Sequence, residues 1–346
     1  MKLVMTLAVR NEADILDANL AFHLNAGVDF VIATDNGSDD GTRDVLDAYA
    51  RQGCVHWIDD PNPIFVQRDV VTRMARLAAA EFGADWIINN DADEFWWPRG
   101  GSLKEIFTLV PARYGTVRGM WRHFVARPGN DFFAERMTVR LCAPVTHKDD
   151  HAFNPHMKTA HRADPDVTVD WGNHDAFGRD LLPLRGWYPF DVLHFPLRSL
   201  EQCEQKYVRR ALDELRGGKI KPGARRMEAY ESFKQGRLRE FYDSHIIDDQ
   251  ALAQGLREGT LASDTRVRDA LRALGVKGAR KESSPKRLSF TDSDVDQSYV
   301  AELGTLEEFS VLVRAQRRVD ALETRLAALE RSLPSRLGMR IARLAP

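Results

Sequence analysis

The chain has 346 residues, 43% of them hydrophobic and 29% charged, and its formal net charge is −2 at pH 7. This composition is typical of a globular protein and argues against a disordered or membrane-spanning chain. Because the chain has no overall positive field with which to hold phosphates, we do not expect it to bind nucleic acid.

The cysteines and the start of the chain bear on the cellular compartment. Three widely spaced cysteines match no zinc or disulfide pattern, so they predict reduced thiols. The apolar segment 3–9 meets the polar residues 10–12 at once, which favours a buried first strand over a signal peptide. No segment approaches the roughly 20 apolar residues of a membrane helix. We therefore expect a cytoplasmic location.

The first part of the chain alternates between strand and helix patterns, which is typical of an α/β fold with a mostly parallel sheet flanked by helices. In chain order, the patterns predict elements over residues 3–9, 12–25, 30–33, 54–58, 70–82 and 86–88, with a further helix through residues 45–49 that Gly53 ends. The polar residues Arg10, Asp35 and Asp91 follow three of the predicted strands. Ligands bind beyond the carboxyl ends of such strands, so we expect these residues to converge on one edge of the sheet.

The rest of the chain is predicted to add helices and a C-terminal extension. We expect a domain over 1–245, a helical segment and linker over 246–305, a heptad helix over 306–333 and a basic amphipathic tail over 334–346. The heptad helix either packs on the domain or joins two protomers as a short coiled coil, and its Arg-rich flanks favour a homodimer. The tail is either frayed or a peripheral contact with the inner face of the cell membrane.

Two carboxylates lie two residues apart directly after the strand predicted over 86–88. Asp91 and Asp93 would stand on the rim of the sheet, where oxygen ligands suit Mg²⁺ or Mn²⁺. A cation held there can bridge a diphosphate and stabilise its charge as it leaves. The alternative is a pair of solvated acids that cap a loop. The position at a strand end favours the metal site.

Three ordered blocks resemble a known family. RNE at 10–12, DNGSDDGT at 35–42 and DADEF at 91–95 are similar in order and spacing to those of family 2 glycosyltransferases, in the bacterial DxDEF branch. The resemblance implies a GT-A fold, which is Rossmann-like. It also implies metal-dependent, inverting transfer of a sugar from a UDP-linked donor to a glycan or lipid-linked hydroxyl acceptor.

The resemblance also implies roles for individual residues. Asp35 would recognise the base, and a carboxylate can accept a hydrogen bond from the imide N–H of uracil. The alternative role of Asp35 is turn and helix-cap chemistry, and both roles can hold at once. The full set expected to bind the nucleotide is Val9, Arg10, Asn11, Asp35, Gln67, Arg68, Asp91 and Lys158.

Later blocks suggest the remaining ligands and the catalytic base. KTAHR at 158–162, WGNH at 171–174 and HFPLRS at 194–199 resemble blocks of the same branch, and they imply His194, then His174, as a third metal ligand. Either histidine could instead be a hydrogen-bonded core residue. An inverting reaction needs a carboxylate that takes the proton of the acceptor hydroxyl. Several acids are possible, and we expect Asp150 or Glu135 because they fall in the segment where the acceptor should lie.

Other classes fit the motifs less well. A nucleotidyltransferase of related fold usually has a Gly-rich loop after its first strand, and RNE at 10–12 is not one. A haloacid-dehalogenase phosphatase needs Thr or Val four residues after its first Asp, where this chain has Phe95. A non-catalytic, nucleotide-binding coiled-coil adaptor is disfavoured because every acidic position of the metal site is present.

Overall fold

The computed structural model describes residues 1–62, 66–142, 156–216 and 223–280, together with 288, 290, 315–316, 318–319 and 321–329. They belong to two compact units. The first comprises Met1–Val145 and Pro155–Ser293, and the second comprises Thr146–Asn154 and Asp294–Pro346.

Strands and helices alternate through the first unit. The strands are β1 (Leu3–Val9), β2 (Phe30–Asp35), β3 (Val55–Asp59), β4 (Trp86–Asn90), β5 (Glu94–Pro98), β6 (Thr116–His123), β7 (Val139–Leu141), β8 (Met157–Arg162), β9 (Thr168–Val169), β10 (Ala176–Phe177), β11 (Phe190–His194) and β12 (Leu261–Ser263). The helices are α1 (Leu16–Asn25), α2 (Thr42–Arg51), α3 (Gln67–Ala80), α4 (Leu103–Leu109), α5 (Phe133–Arg136), α6 (Leu200–Cys203), α7 (Arg210–Arg216), α8 (Ala224–Lys234), α9 (Leu238–Asp243), α10 (Asp249–Glu258) and α11 (Arg266–Ala273). A 3-10 turn spans Trp171–Asn173, and a π-helical segment spans Glu204–Arg209.

Eight strands form one sheet in the order β3-β2-β1-β4-β8-β6-β11-β5. Six of them run parallel to one another, while β8 and the edge strand β5 are antiparallel to their neighbours. The predicted α/β fold, with a mostly parallel sheet flanked by helices, is confirmed. The chain crosses from β4 near the middle of the sheet to β5 at its edge through only residues 91–93, so the acidic motif lies at the edge where β4, β6 and β11 have their carboxyl ends and the antiparallel β8 has its amino end.

Both faces of the sheet are covered, which explains the continuous apolar run of β1. Leu3, Met5 and Leu7 belong to the core cluster on one face, and Val4 belongs to the cluster that α3 covers on the other. A strand buried on both faces cannot show the polar–apolar alternation of a half-exposed strand. The edge strand β5 contributes Phe95, Trp96 and Trp97 to the first cluster, which accounts for the aromatic run after the acidic motif.

Residues 246–280 pack within the first unit, although the sequence predicted a separate helical segment and linker from residue 246. β12 pairs with β7, and Arg266 of α11 donates to Asp191 of β11. These long-range contacts carry no local signal in the sequence. The boundary predicted after residue 245 therefore does not mark the end of this unit.

The described part of the predicted heptad helix is helical over residues 321–329. Apolar side chains are exposed at Val319, just before this segment, and at Leu322 and Leu326 within it. Such exposure is expected for a seam that pairs with another helix. The homodimer remains a prediction, and the tail over 334–346 lies outside the described residues. No helix in the described ranges is long and apolar enough to cross a membrane.

Asp191 is a buried carboxylate surrounded by arginines. It accepts hydrogen bonds from Arg99 (2.6 Å), Arg266 (3.1 Å) and the buried Arg122 (3.3 Å). Removing one member of such a cluster leaves buried charge uncompensated. We predict that Asp191→Asn lowers the free energy of unfolding by about 3–5 kcal/mol in chemical denaturation.

The matched control is Asp249→Asn, which removes an exposed partner of Arg127. A surface pair contributes little, so this variant should stay within about 1 kcal/mol of the parent chain. Equal stability of the two variants would show that the arginines around Asp191 do not need its charge.

Candidate active site and metal centre

A cavity of about 850 Å³ opens at the carboxyl ends of β1 and β4. Parallel strands end on the same edge, so β1 and β4 bring their following loops together there. Eight predicted site residues line the cavity, namely Val9, Arg10, Gln67, Asp91, Asp93, Lys158, His174 and His194. Eight of the predicted site residues therefore share one cavity, although they come from six separate segments.

Strand register places Glu94, His123 and His194 side by side, and only His194 of these was predicted. In the sheet, His194 of β11 stands opposite Glu94 of β5 on one side and opposite His123 of β6 on the other. The backbone N–H of Phe195 donates to the carbonyl of Asp93 at 2.8 Å, which fixes the acidic motif against the end of β11. The site thus depends on pairing between strands that are about 70–100 residues apart in sequence.

Asp93, Glu94 and His194 form a group that could hold a metal ion. One ligand atom from each lies within 4.8 Å of the others, and all three residues are buried. His194 Nε2 lies 3.3 Å from Asp93 Oδ2, and Glu94 Oε2 is buried with no hydrogen-bond partner in the part of the chain that the structure describes. Two carboxylates and an imidazole suit Mn²⁺ or Mg²⁺ with positions left for phosphate oxygens. A buried carboxylate oxygen without a donor is the feature that such an ion would satisfy.

This group differs from the predicted one in two members. Asp91 lies beside it but accepts from Gln67 at 2.7 Å and from Lys158 at 2.8 Å. The ring of His174 lines the cavity, and its Nδ1 lies 2.7 Å from the carbonyl of Met157. Glu94 takes its place in the group because β5 begins at this residue and points its side chain toward His194.

Two lysines supply counter-charge to the acidic motif. Lys158, buried on β8, donates to Asp91 at 2.8 Å and lies 2.7 Å from Glu94 Oε1. Lys206, on the π-helical segment, pairs with Asp93. Each carboxylate of the motif therefore has a cation in contact. π-helical turns are frequent at functional sites, and here the turn carries a lysine into the cavity.

Burial shifts the ionisation of several groups at the site. It raises the pKa of Glu94 to about 8, against the opposing effect of Lys158, and it raises the pKa of Glu12 to about 7, against that of Arg198. Burial also lowers the pKa of His194 to about 4. The imidazole is therefore neutral at pH 7, which is the form that binds a metal.

Trp121 contacts two members of the metal group, Glu94 and His194, and no sequence motif predicted it. Its ring stacks on His194 with centroids 4.2 Å apart, and its Nε1 donates to Glu94 Oε1 at 2.9 Å. A side chain that contacts both residues restricts their rotamers. It lies on β6, so only the pairing of β6 with β11 could have revealed it.

Asp35 and Asn11 are buried beside the cavity but do not line it. Asp35 Oδ2 accepts from Arg43 at 2.7 Å and from the Ser38 backbone at 3.1 Å, whereas Oδ1 is buried and has no partner within the described ranges. Asn11 has a positive φ of 54° and bonds to Asp39 and Gln205, so it holds the loop after β1 in shape. The turn role foreseen for Asp35 is present, and Oδ1 leaves room for a second role.

Of the two predicted catalytic bases, the described residues include only Glu135, which does not line the cavity. Glu135 is absent from the cavity lining and accepts from Arg272 at 2.9 Å and from the Arg280 backbone at 3.0 Å. The hydrogen bond from Arg272 lowers the pKa of Glu135. Because the carboxylate is engaged in this ion pair and does not line the cavity, we withdraw Glu135 as the catalytic base. Asp150 lies outside the described residues. Arg68 is likewise not among the lining residues.

Other charged residues of the lining were not predicted. Arg198 lies outside the lining, where it is buried and donates to Glu12 and Asp14. The unpredicted lining residues that carry charge include Glu12, Arg210, Asp213, Glu214, Arg225 and Arg226. They come largely from α7 and α8, a region where the sequence shows only helix periodicity and no motif.

Comparisons with known proteins were made on this basis. No family model and no curated protein matches the chain. Among solved structures, it resembles glucosyl-3-phosphoglycerate synthase from Mycobacterium tuberculosis in complex with Mn²⁺, UDP and glucosyl-3-phosphoglycerate, with 16% identity and a TM-score of 0.26 over 35% of this chain and 44% of that one. It also resembles S. aureus TarS 1–349 in complex with UDP, with 12% identity and a TM-score of 0.33 over 84% of this chain and 100% of that one.

The mycobacterial match spans less than half of that enzyme's own length. A further TarS structure from S. aureus matches at 11% identity with a TM-score of 0.34 over 68% of this chain and 43% of that one. Because all three TM-scores lie below 0.5, we base the functional proposal on the residues of this chain alone.

Glu94 should make stability depend on pH. Its pKa is about 8 in the folded chain and near 4.5 when unfolded, so between these values the folded state keeps a proton that the unfolded state has lost. The contribution of Glu94 to stability must therefore fall as pH rises through this window. We predict that Glu94→Gln, compared with the parent chain by denaturation, gains about 3–5 kcal/mol between pH 5 and pH 9.

The control for this series is Glu228→Gln, at an exposed position of α8. Its stability relative to the parent should not change with pH. A Glu94→Gln curve that runs parallel to the parent curve would show that Glu94 is ionised in the folded chain throughout.

Proposed function

We propose that this chain is a GT-A glycosyltransferase that moves a sugar from a UDP-linked donor to a hydroxyl acceptor with a divalent cation. The observation that carries the proposal is the convergence of Asp91, Asp93, Glu94 and His194 at the carboxyl edge of the sheet, beside a cavity of about 850 Å³. Ligand pockets commonly measure about 300–1,000 Å³, so a nucleotide sugar fits.

In this proposal, Asp93, Glu94 and His194 hold Mn²⁺ or Mg²⁺. The cation would stabilise the charge of the departing diphosphate. Lys158 and Lys206 already lie on the acidic motif, within reach of the same space, and would donate to the phosphate oxygens. Trp121 keeps Glu94 and His194 in place, so that the ligands need little rearrangement when the ion binds.

The base of the donor would lie near Val9 and Asp35. The buried Oδ1 of Asp35 has no hydrogen-bond donor among the described residues, and the imide N–H of uracil is a suitable one. Arg43 holds the other oxygen, which fixes the direction of the carboxylate. This arrangement favours a uracil nucleotide over a cytosine nucleotide, because cytosine offers no N–H at the corresponding ring nitrogen.

An inverting reaction also needs a general base for the acceptor hydroxyl. Asp150 stays our candidate, while Glu135 is held in its ion pair with Arg272. The acceptor in this proposal is a glycan or a lipid-linked glycan, and the enzyme acts as a homodimer through the heptad helix. The basic tail would bring it to an anionic membrane surface.

Metal-dependent binding of UDP is the first test. By titration calorimetry, UDP should bind with Mn²⁺ and bind far more weakly without it, and Asp91→Ala/Asp93→Ala should abolish the metal-dependent part. The reason is that the double variant removes two of the carboxylates that face the ion and the lysines. Asp166→Ala, at an exposed position before β9, is the control and should bind like the parent chain.

The alternatives give different results in the same titration. Binding of GDP or a cytidine nucleotide in place of UDP would keep the fold and overturn the donor. Metal-independent binding that survives the double variant would favour the non-catalytic adaptor. A chain that binds no nucleotide at all would reject the proposal.

Asp35 should control base selection. We predict that Asp35→Asn weakens UDP binding by about 10- to 100-fold, because a charge-assisted hydrogen bond contributes about 1.5–3 kcal/mol. CDP binding should weaken less, since the Asn amide can donate to the ring nitrogen of cytosine. The control is Asp59→Asn, which also removes a partner of Arg43 but lies farther toward solvent. Equal losses for UDP and CDP would contradict a contact between Asp35 and the base.

A further inference from the structure

A second, smaller cavity adjoins the candidate active site. It measures about 180 Å³ and shares four lining residues with the large cavity, namely His123, Pro196, Tyr207 and Arg225. The ring of His123 lies 5.0 Å from the ring of His194, so the small cavity begins directly beside the metal group. None of the residues expected to bind the donor lines it.

The walls of the small cavity are mostly apolar. They include Val125, Leu141, Leu197, Phe241 and Ile247. An apolar cavity of about 150 Å³ is known to accommodate benzene, so this one has room for a six-membered ring or a branched alkyl group of similar size. Burying such a group there would remove its apolar surface from water, which favours binding.

Arg225 stands where the two cavities meet, and it differs from the other arginines there. Arg10 and Arg226 of the lining are paired with Asp213 and Glu214. Arg225 is exposed and makes no hydrogen bond or ion pair with any residue of the described ranges. Its helix, α8, is anchored by the buried Ala229, so the guanidinium is presented from a fixed backbone.

We propose that the small cavity and Arg225 form the acceptor subsite, and that the acceptor carries a phosphate or carboxylate next to a compact apolar group. Arg225 binds the anion, the apolar group fills the small cavity, and the acceptor hydroxyl is directed past His123 toward the metal group. A guanidinium favours planar, bidentate recognition of such anions. This inference rests on the proposed glycosyltransferase function and adds the chemistry of the acceptor to it.

The inference can be tested with phenyl phosphate as the probe, titrated into the full chain with and without UDP and Mn²⁺. Phenyl phosphate should bind at least about tenfold more tightly than inorganic phosphate or phenol, because each of these lacks one of the two contacts. Benzoate in place of phenyl phosphate distinguishes a carboxylate acceptor from a phosphate acceptor. Weaker or equal binding of both aromatic anions relative to phenol would overturn the anionic subsite.

Two variants separate the contacts. Arg225→Gln should weaken phenyl phosphate binding by about tenfold and leave phenol binding unchanged. Leu141→Phe should fill the small cavity and reduce phenyl phosphate binding to the level of inorganic phosphate, and Ile247→Phe serves the same purpose if Leu141→Phe does not fold. Arg257→Gln, on the exposed face of α10, is the matched arginine control and should change nothing.

The outcomes keep the two proposals apart. UDP binding with Mn²⁺ but no phenyl phosphate binding would reject the acceptor subsite and keep the donor site. Phenyl phosphate binding that depends on Arg225, in a chain that binds no nucleotide, would reject the glycosyltransferase and leave an anion site. Unchanged phenyl phosphate binding in both Arg225→Gln and the cavity-filling variants would overturn the subsite.

Discussion

The cost of burying carboxylates at the end of β4 is the constraint on which the site depends. Asp93 and Glu94 are almost fully buried, and an uncompensated buried charge is expensive. The chain meets this cost with lysines from two distant segments, Lys158 on β8 and Lys206 on the π-helical segment. Those contacts require β8 to lie beside β4 and the helical segment to fold back over the cavity. The position of the later elements is thus tied to the charge of the motif.

Local patterns in the sequence were sufficient to predict the strands of the first half of the sheet and insufficient to predict those of the second half. Strand β1 was predicted at its observed bounds, because a short continuous apolar run between polar loops is typical of a strand buried on both faces. Helix α3 begins at Gln67, three residues before the predicted start, since Gln67 turns toward Asp91 and helical periodicity does not register such a polar first turn. The edge position of β5 had no local signal, because it arises from pairing with β11, about 100 residues later.

The same distinction explains which site residues were found. Asp91, Asp93 and Lys158 belong to short motifs and line the cavity as expected. Glu94 belongs to the DADEF motif, but the motif does not predict its place in the metal group, because that depends on its register opposite His194. Glu135 was chosen from its place in the chain, and its partner Arg272 is 137 residues away. A sequence pattern can report that an acid is present, but it cannot report which distant arginine neutralises it.

The charges at the site indicate how the binding of a metal ion and the binding of a nucleotide would depend on each other. With Lys158 on Asp91 and Glu94, and Lys206 on Asp93, the carboxylates already have cations in contact. A divalent cation that arrived alone would add positive charge to a cluster that is nearly balanced, at short range and in a poorly screened setting. A diphosphate that arrives with it brings more negative charge than the cation adds positive, and its oxygens offer the lysines new acceptors. The lysines then need only exchange carboxylate partners for phosphate partners. In the proposed function, metal and nucleotide would therefore bind the site as a unit, with Lys158 and Lys206 coupling the two.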